Sequence, residues 1–149
     1  MSITLIVEDD KWRRARGLTA LVKRAAALAQ RRADGKNRSL TILLSTDEKL
    51  RRLNSEFRGQ HKATNVLSFP ADAKSYLGDV AIAYGVTAAE ARASAKPFAD
   101  HAAHLAVHGV LHLLGYDHET TRAARRMEPL EIAILAELGI SDPYASIAA

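Results

Sequence analysis

The eleven residues His108 to His118, HGVLHLLGYDH, constrain this chain more than any other stretch. They set three histidines in an otherwise apolar run, where Leu or Val would be usual. The pattern from Phe98 to Leu114 is helical, and Gly115 falls where such a helix should stop. Residues four apart on a helix stand above one another, so His108 and His112 project from one face. His118 is six positions further on, and a continuing helix would turn it away. A glycine after the last turn can take the left-handed conformation that ends a helix. The chain can then double back and bring His118 to the same point.

Three neutral imidazoles suit zinc, with bonds of about 2.0–2.1 Å, and leave a fourth position open to water. An open position marks a catalytic site. A closed structural zinc site would normally use cysteines, and the chain has none. Imidazole also accepts nickel, copper and iron, so the presence of a metal is better founded than its identity. His101 and His104 lie on or near the same helical face, as outer partners or solvated residues. Asp117 is a candidate to orient a ligand, because metal-bound imidazoles usually donate their other N–H to an oxygen. It is equally a candidate cap for the next helix.

The spacing is also that of a metzincin peptidase with one residue changed. Metzincins read H-E-x-x-H-x-x-G-x-x-H, and this chain reads H-G-x-x-H-x-x-G-x-x-H. The glutamate that serves as general base is Gly109 here, and glycine has no side chain to take a proton. The cage is kept and the peptidase base is absent.

The rest of the chain reads as alternating elements. Ile3 to Val7 is a short buried strand. Trp12, Ala15, Leu18, Val22, Ala25 and Ala29 form one face of a helix from Trp12 to Arg32. Leu40 to Leu44 is a second strand, and Ser45 with Glu48 matches a capping box opening a helix to about Phe57. Strands follow at Asn65 to Phe69 and Asp79 to Tyr84. Thr87 and Glu90 match a second capping box for a short helix ending near Pro97. A last helix runs from about Thr120 to Leu138, where Pro129 should kink or restart it, and the tail from Ser141 should fray. This order predicts an α+β fold: a single domain over residues 1–149 with a four-stranded mixed β-sheet and about five α-helices.

Composition narrows the setting. Hydrophobic residues make up 48% and charged residues 26%, ordinary for a globular protein. No signal peptide or membrane span is evident, and the lack of cysteine fits a reducing, cytoplasmic setting. Residues 1–62 hold 15 of the 21 Lys and Arg but 7 of the 17 acids, a net of +8 in a chain of net +4. Solvated helix faces explain such an excess; so does a phosphate-rich partner. Arg13, Arg14, Arg16, Arg31, Arg32, Arg51 and Arg52 are the residues that could follow a phosphate backbone.

HGVLHLLGYDH closely resembles the signature of the YbeY family of bacterial endoribonucleases. FRGQHKATNVLSFP at 57–70 is similar to the family's aromatic-Arg-Gly segment followed by Thr-Asp/Asn-Val-Leu-Ser-Phe, and LGDVAI at 77–82 to its Leu-Gly-Asp strand entry. Met127, Leu130, Glu131 and Leu135 match its last helix. The resemblance implies a small α+β fold and a metal, usually zinc, held by His108, His112 and His118. It implies a functional arginine at Arg58, which with His112 makes the expected catalytic pair. It also implies RNA as substrate, in maturation of the 3′ end of small-subunit (16S) rRNA and in ribosome quality control. There are departures. The family commonly has an aspartate where this chain has His61 and often a proline where it has Ala63, and Pro129 is unusual. His61 becomes a candidate substrate-binding residue beside Arg58, with a solvated loop histidine as the plain alternative. Two other classes stay open: a metallopeptidase-like hydrolase using another base, and a non-catalytic ribosome-assembly factor with a structural metal.

Overall fold

A computed structural model describes residues 2–34, 36–60 and 64–145. Strand β1 (Ile3–Val7) leads into a short 3-10 turn (Asp10–Arg14) and helix α1 (Leu18–Ala33). Strand β2 (Ser39–Ser45), helix α2 (Asp47–Arg58), strands β3 (Val66–Pro70) and β4 (Tyr76–Ala83), and helices α3 (Tyr84–Ala93), α4 (Phe98–Leu113) and α5 (Thr121–Glu137) follow. The sheet order is β1-β2-β4-β3. β1 and β4 both run parallel to β2, and β3 is antiparallel to β4. The expected mixed four-stranded sheet and five α-helices are therefore present among the described residues.

The central element is α4. Its buried residues include Ala102, Ala103, Ala106, Val107, Val110 and Leu111, and it packs against α1, α3, α5, β3 and β4. α1 meets it with Val22, Ala25, Ala26 and Ala29, whose small side chains suit two closely packed helices. Gly109 lets α4 lie against the sheet. A Cβ there would stand 2.5 Å from Val80 Cγ1 of β4. Ser68 Oγ of β3 donates to the Gly109 carbonyl at 2.7 Å and ties the helix to the sheet at that point.

Several boundaries differ from the sequence reading. The helix expected from Trp12 is two elements, because Gly17 takes φ 76 and separates the 3-10 turn from α1. Trp12 is fully buried and donates from Nε1 to the Ser45 carbonyl at 2.9 Å, so the turn keeps it inward as a helix would have. The cap of α2 is Thr46, whose side chain accepts from the Lys49 N–H; Ser45 ends β2 and donates instead to Glu8. Helix α3 begins at Tyr84, directly after β4, so Thr87 lies within it and donates to the Ala83 carbonyl at 2.5 Å. Helix α5 continues unbroken past Pro129, with Met127, Glu131, Ile134 and Leu135 buried on either side of it. The tail is held as far as it is described: Lys96 Nζ donates to the Pro143 carbonyl at 2.6 Å.

Candidate metal centre

The C-terminus of α4 closes in the way Gly115 suggested. Gly115 has φ 93, its N–H donates to the His112 carbonyl at 3.0 Å, and the Tyr116 N–H donates to the Leu111 carbonyl at 3.1 Å. These paired bonds are the Schellman closure of a helix. The chain turns back and sets the His118 ring 4.9 Å from that of His108 and 5.4 Å from that of His112, centre to centre. One ligand nitrogen from each of the three lies within 4.8 Å of the others.

The donor set fits a cation. His108 Nδ1 lies 3.0 Å from Glu131 Oε2, and an ionised carboxylate can only accept, so Nδ1 carries the hydrogen. The neutral ring then keeps its lone pair on Nε2. His112 makes a hydrogen bond to the Tyr116 backbone that favours its protonated form, so it too donates outward. Its Nε2 faces His108 Nε2 at 2.9 Å. Two lone pairs so close repel unless a proton or a metal ion lies between them. Burial, then the neighbouring His108 and His118, push His112 down to about 4, which keeps it neutral and ready to coordinate near pH 7.

Glu131 is the site residue for which sequence reasoning found no role. It is 0% exposed. It accepts from His104 Nε2 at 2.8 Å, from His108 Nδ1 at 3.0 Å and from the Tyr144 hydroxyl at 2.8 Å. Burial alone would raise its carboxyl, but the hydrogen bonds from His104 and His108 outweigh this and hold it at about 2. The available signal was a carboxylate at a core position of α5, between Met127 and Leu135. Asp117, the expected orienting group, instead accepts from the Glu119 N–H, and Thr120 caps α5. His101 pairs with Glu90, which also accepts from the Asn65 amide.

An open cleft of about 660 Å³ runs beside this network. His101, His104, His108, His112 and His118 lie along it, with Arg58, Ser68, Glu119 and Tyr144. Arg58 is the last residue of α2, where Gly59 at φ 65 ends the helix. Its Nη2 donates to the Ser68 carbonyl at 3.2 Å. Among the described residues its guanidinium has no ion-pair partner. None of the seven arginines noted in the N-terminal half lines the cleft; Arg13 pairs with Asp10, and Arg32 with Glu137. His61 lies outside the described residues.

Fold and site together define an α+β domain in which three histidines that could hold a metal ion share an open cleft with an arginine. The family model for endoribonuclease YbeY matches residues 6–139. The chain is 48% identical to the endoribonuclease YbeY of Rhodopseudomonas palustris CGA009 over 95% of its length and 80% of that protein's. It is 46% identical to that of Bradyrhizobium diazoefficiens USDA 110, covering 95% of this chain and 84% of that one. A solution structure from Thermotoga maritima shares the fold, with a TM-score of 0.57 at 22% identity over 96% of this chain and 99% of that one. The chain belongs to the YbeY family of endoribonucleases.

Proposed function

We propose that this protein is a zinc-dependent endoribonuclease of the cytoplasm that cuts single-stranded RNA, acting at the 3′ end of small-subunit rRNA. The observation that carries this reading is the convergence of His108, His112 and His118 in the same cleft as Arg58, whose guanidinium has no ion-pair partner among the described residues. When bound, the metal supplies Lewis acidity and makes water more acidic. His108, His112 and His118 hold it. Arg58 binds the scissile phosphate: the hydrogen bond to Ser68 orients the guanidinium, and its remaining N–H donors face the non-bridging oxygens as charge builds on them. The open cleft admits an extended strand. His61, three residues after Arg58 in the sequence, is the further candidate to contact RNA.

The peptidase alternative loses ground for a packing reason. A Cβ at position 109 would stand 2.5 Å from Val80 Cγ1, so this packing of α4 on the sheet leaves no room for the glutamate that a metzincin carries there. The assembly-factor alternative needs only a stabilising metal and makes no use of Arg58. The test offers zinc-loaded protein three substrates: a single-stranded RNA carrying the 3′ extension of small-subunit rRNA, the same RNA as a duplex, and an unfolded protein. The expected result is internal cleavage of the single strand, lost on chelation and restored by zinc. Cleavage of the protein alone would establish the peptidase reading. No cleavage of any substrate, with a zinc-dependent melting temperature, would establish the assembly-factor reading.

A further inference from the structure

Glu131 is a buried charge that the proposed chemistry does not use. Its two oxygens are engaged by three donors from two parts of the chain, α4 and the C-terminal segment. Oε2 takes the N–H groups of His104 and His108, and Oε1 takes the Tyr144 hydroxyl. A neutral imidazole has two tautomers, and the partner of one nitrogen decides which nitrogen keeps the lone pair. We propose that Glu131 is a positioning residue of the metal centre: it fixes His108 as the Nδ1–H tautomer, so that Nε2 presents its lone pair beside His112 and His118. His104 and Tyr144 occupy the rest of the carboxylate and keep it from swinging away. The C-terminal segment thereby becomes part of the site, since Tyr144 is anchored by Lys96 through the neighbouring Pro143 carbonyl. The inference rests on the metal reading of the three histidines, but its tests do not pass through RNA cleavage.

His104, His108 and Glu131 could themselves be taken for a second metal site, since their ligand atoms also cluster within 4.8 Å. The distances of 2.8 and 3.0 Å are those of hydrogen bonds, and the one oxygen shared by both rings is an acceptor between two donors. His108 could serve both sites only as a doubly deprotonated bridge.

The experiment has two readouts. Nitrogen-15 NMR of the imidazoles in zinc-bound wild type should show His108 holding its hydrogen on Nδ1 and the metal on Nε2; a hydrogen on Nε2 overturns the proposal. Zinc affinity is then measured by competition with a chelator in wild type, Glu131→Gln and Glu131→Leu, with melting curves of the metal-free proteins as a check on folding. Outer hydrogen-bond partners of metal ligands are typically worth about 10- to 100-fold in affinity. Glu131→Gln, which keeps the shape and a weaker acceptor, should lose about 10-fold, and Glu131→Leu more. If the Leu variant does not fold, the Gln variant decides. Wild-type affinity in the folded variants overturns the proposal, as does uptake of two zinc ions per wild-type chain with one lost in Glu131→Gln. A wild type that binds zinc normally but cuts no RNA would count against the proposed function alone.

Discussion

Gly109→Ala isolates the contact that sets α4 on the sheet. The new Cβ would stand 2.5 Å from Val80 Cγ1, 3.2 Å from Cγ2 and 3.3 Å from Ser68 Oγ. Carbon atoms settle at about 3.5–4.0 Å, so the helix or β4 must yield by roughly 1 Å. Val80 is fully buried and β-branched and cannot swing aside cheaply. Overpacking of this kind costs about 1–3 kcal/mol. Shifting the helix also strains the Ser68 to Gly109 hydrogen bond, worth about 1 kcal/mol. Alanine returns about 1 kcal/mol through helix propensity. The net expectation is a loss of roughly 1–3 kcal/mol, read as a lower urea midpoint with an unchanged slope, or a fall in Tm of about 2–4 °C per kcal/mol. Val80→Ala should cost stability alone but partly rescue Gly109→Ala, because it removes the methyl groups that clash. A Gly109→Ala protein more stable than wild type would show that propensity wins, and would refute the close approach.

Arg58→Ala should lower kcat by about 10²–10³ with a much smaller change in RNA affinity, since one charge-stabilising donor is typically worth that much; equal turnover would remove Arg58 from the chemistry. Acid should destabilise the metal-free protein earlier than the carboxylates alone would require. His112 sits near 4 when folded and near its ordinary 6.5 when unfolded, so the unfolded chain takes the proton first as pH falls. Stability is then full above about pH 6.5 and falls toward pH 4, by up to about 3 kcal/mol. Urea midpoints across that range test this, and His112→Ala should flatten the slope. Below pH 4.5 the loss of Glu131, held at about 2, adds to it in the same direction.

Much of the site was legible because its determinants are local. The i, i+4 spacing of His108 and His112 needs only helix geometry. The return of His118 needs only the left-handed Gly115 and the two hydrogen bonds that close α4. The sheet was legible from short apolar runs and the turns between them. Boundaries failed where two local structures satisfy the same pattern. A 3-10 turn buries Trp12 as well as a helix would, and both Ser45 and Thr46 can cap α2. Glu131 could not be found by spacing, because it reaches His108 only once α5 packs on α4. Gly109 was read as a missing base; the structure shows a second reason for glycine there, the approach of α4 to Val80.

The most direct test of the central claim, that the three histidines form the centre of a ribonuclease, is cleavage of a labelled single-stranded RNA by zinc-loaded wild type and His112→Ala purified in parallel. Internal cleavage by wild type, with the variant folded and inactive, is the predicted result. Equal cleavage by both would assign the activity to a contaminant and contradict the claim.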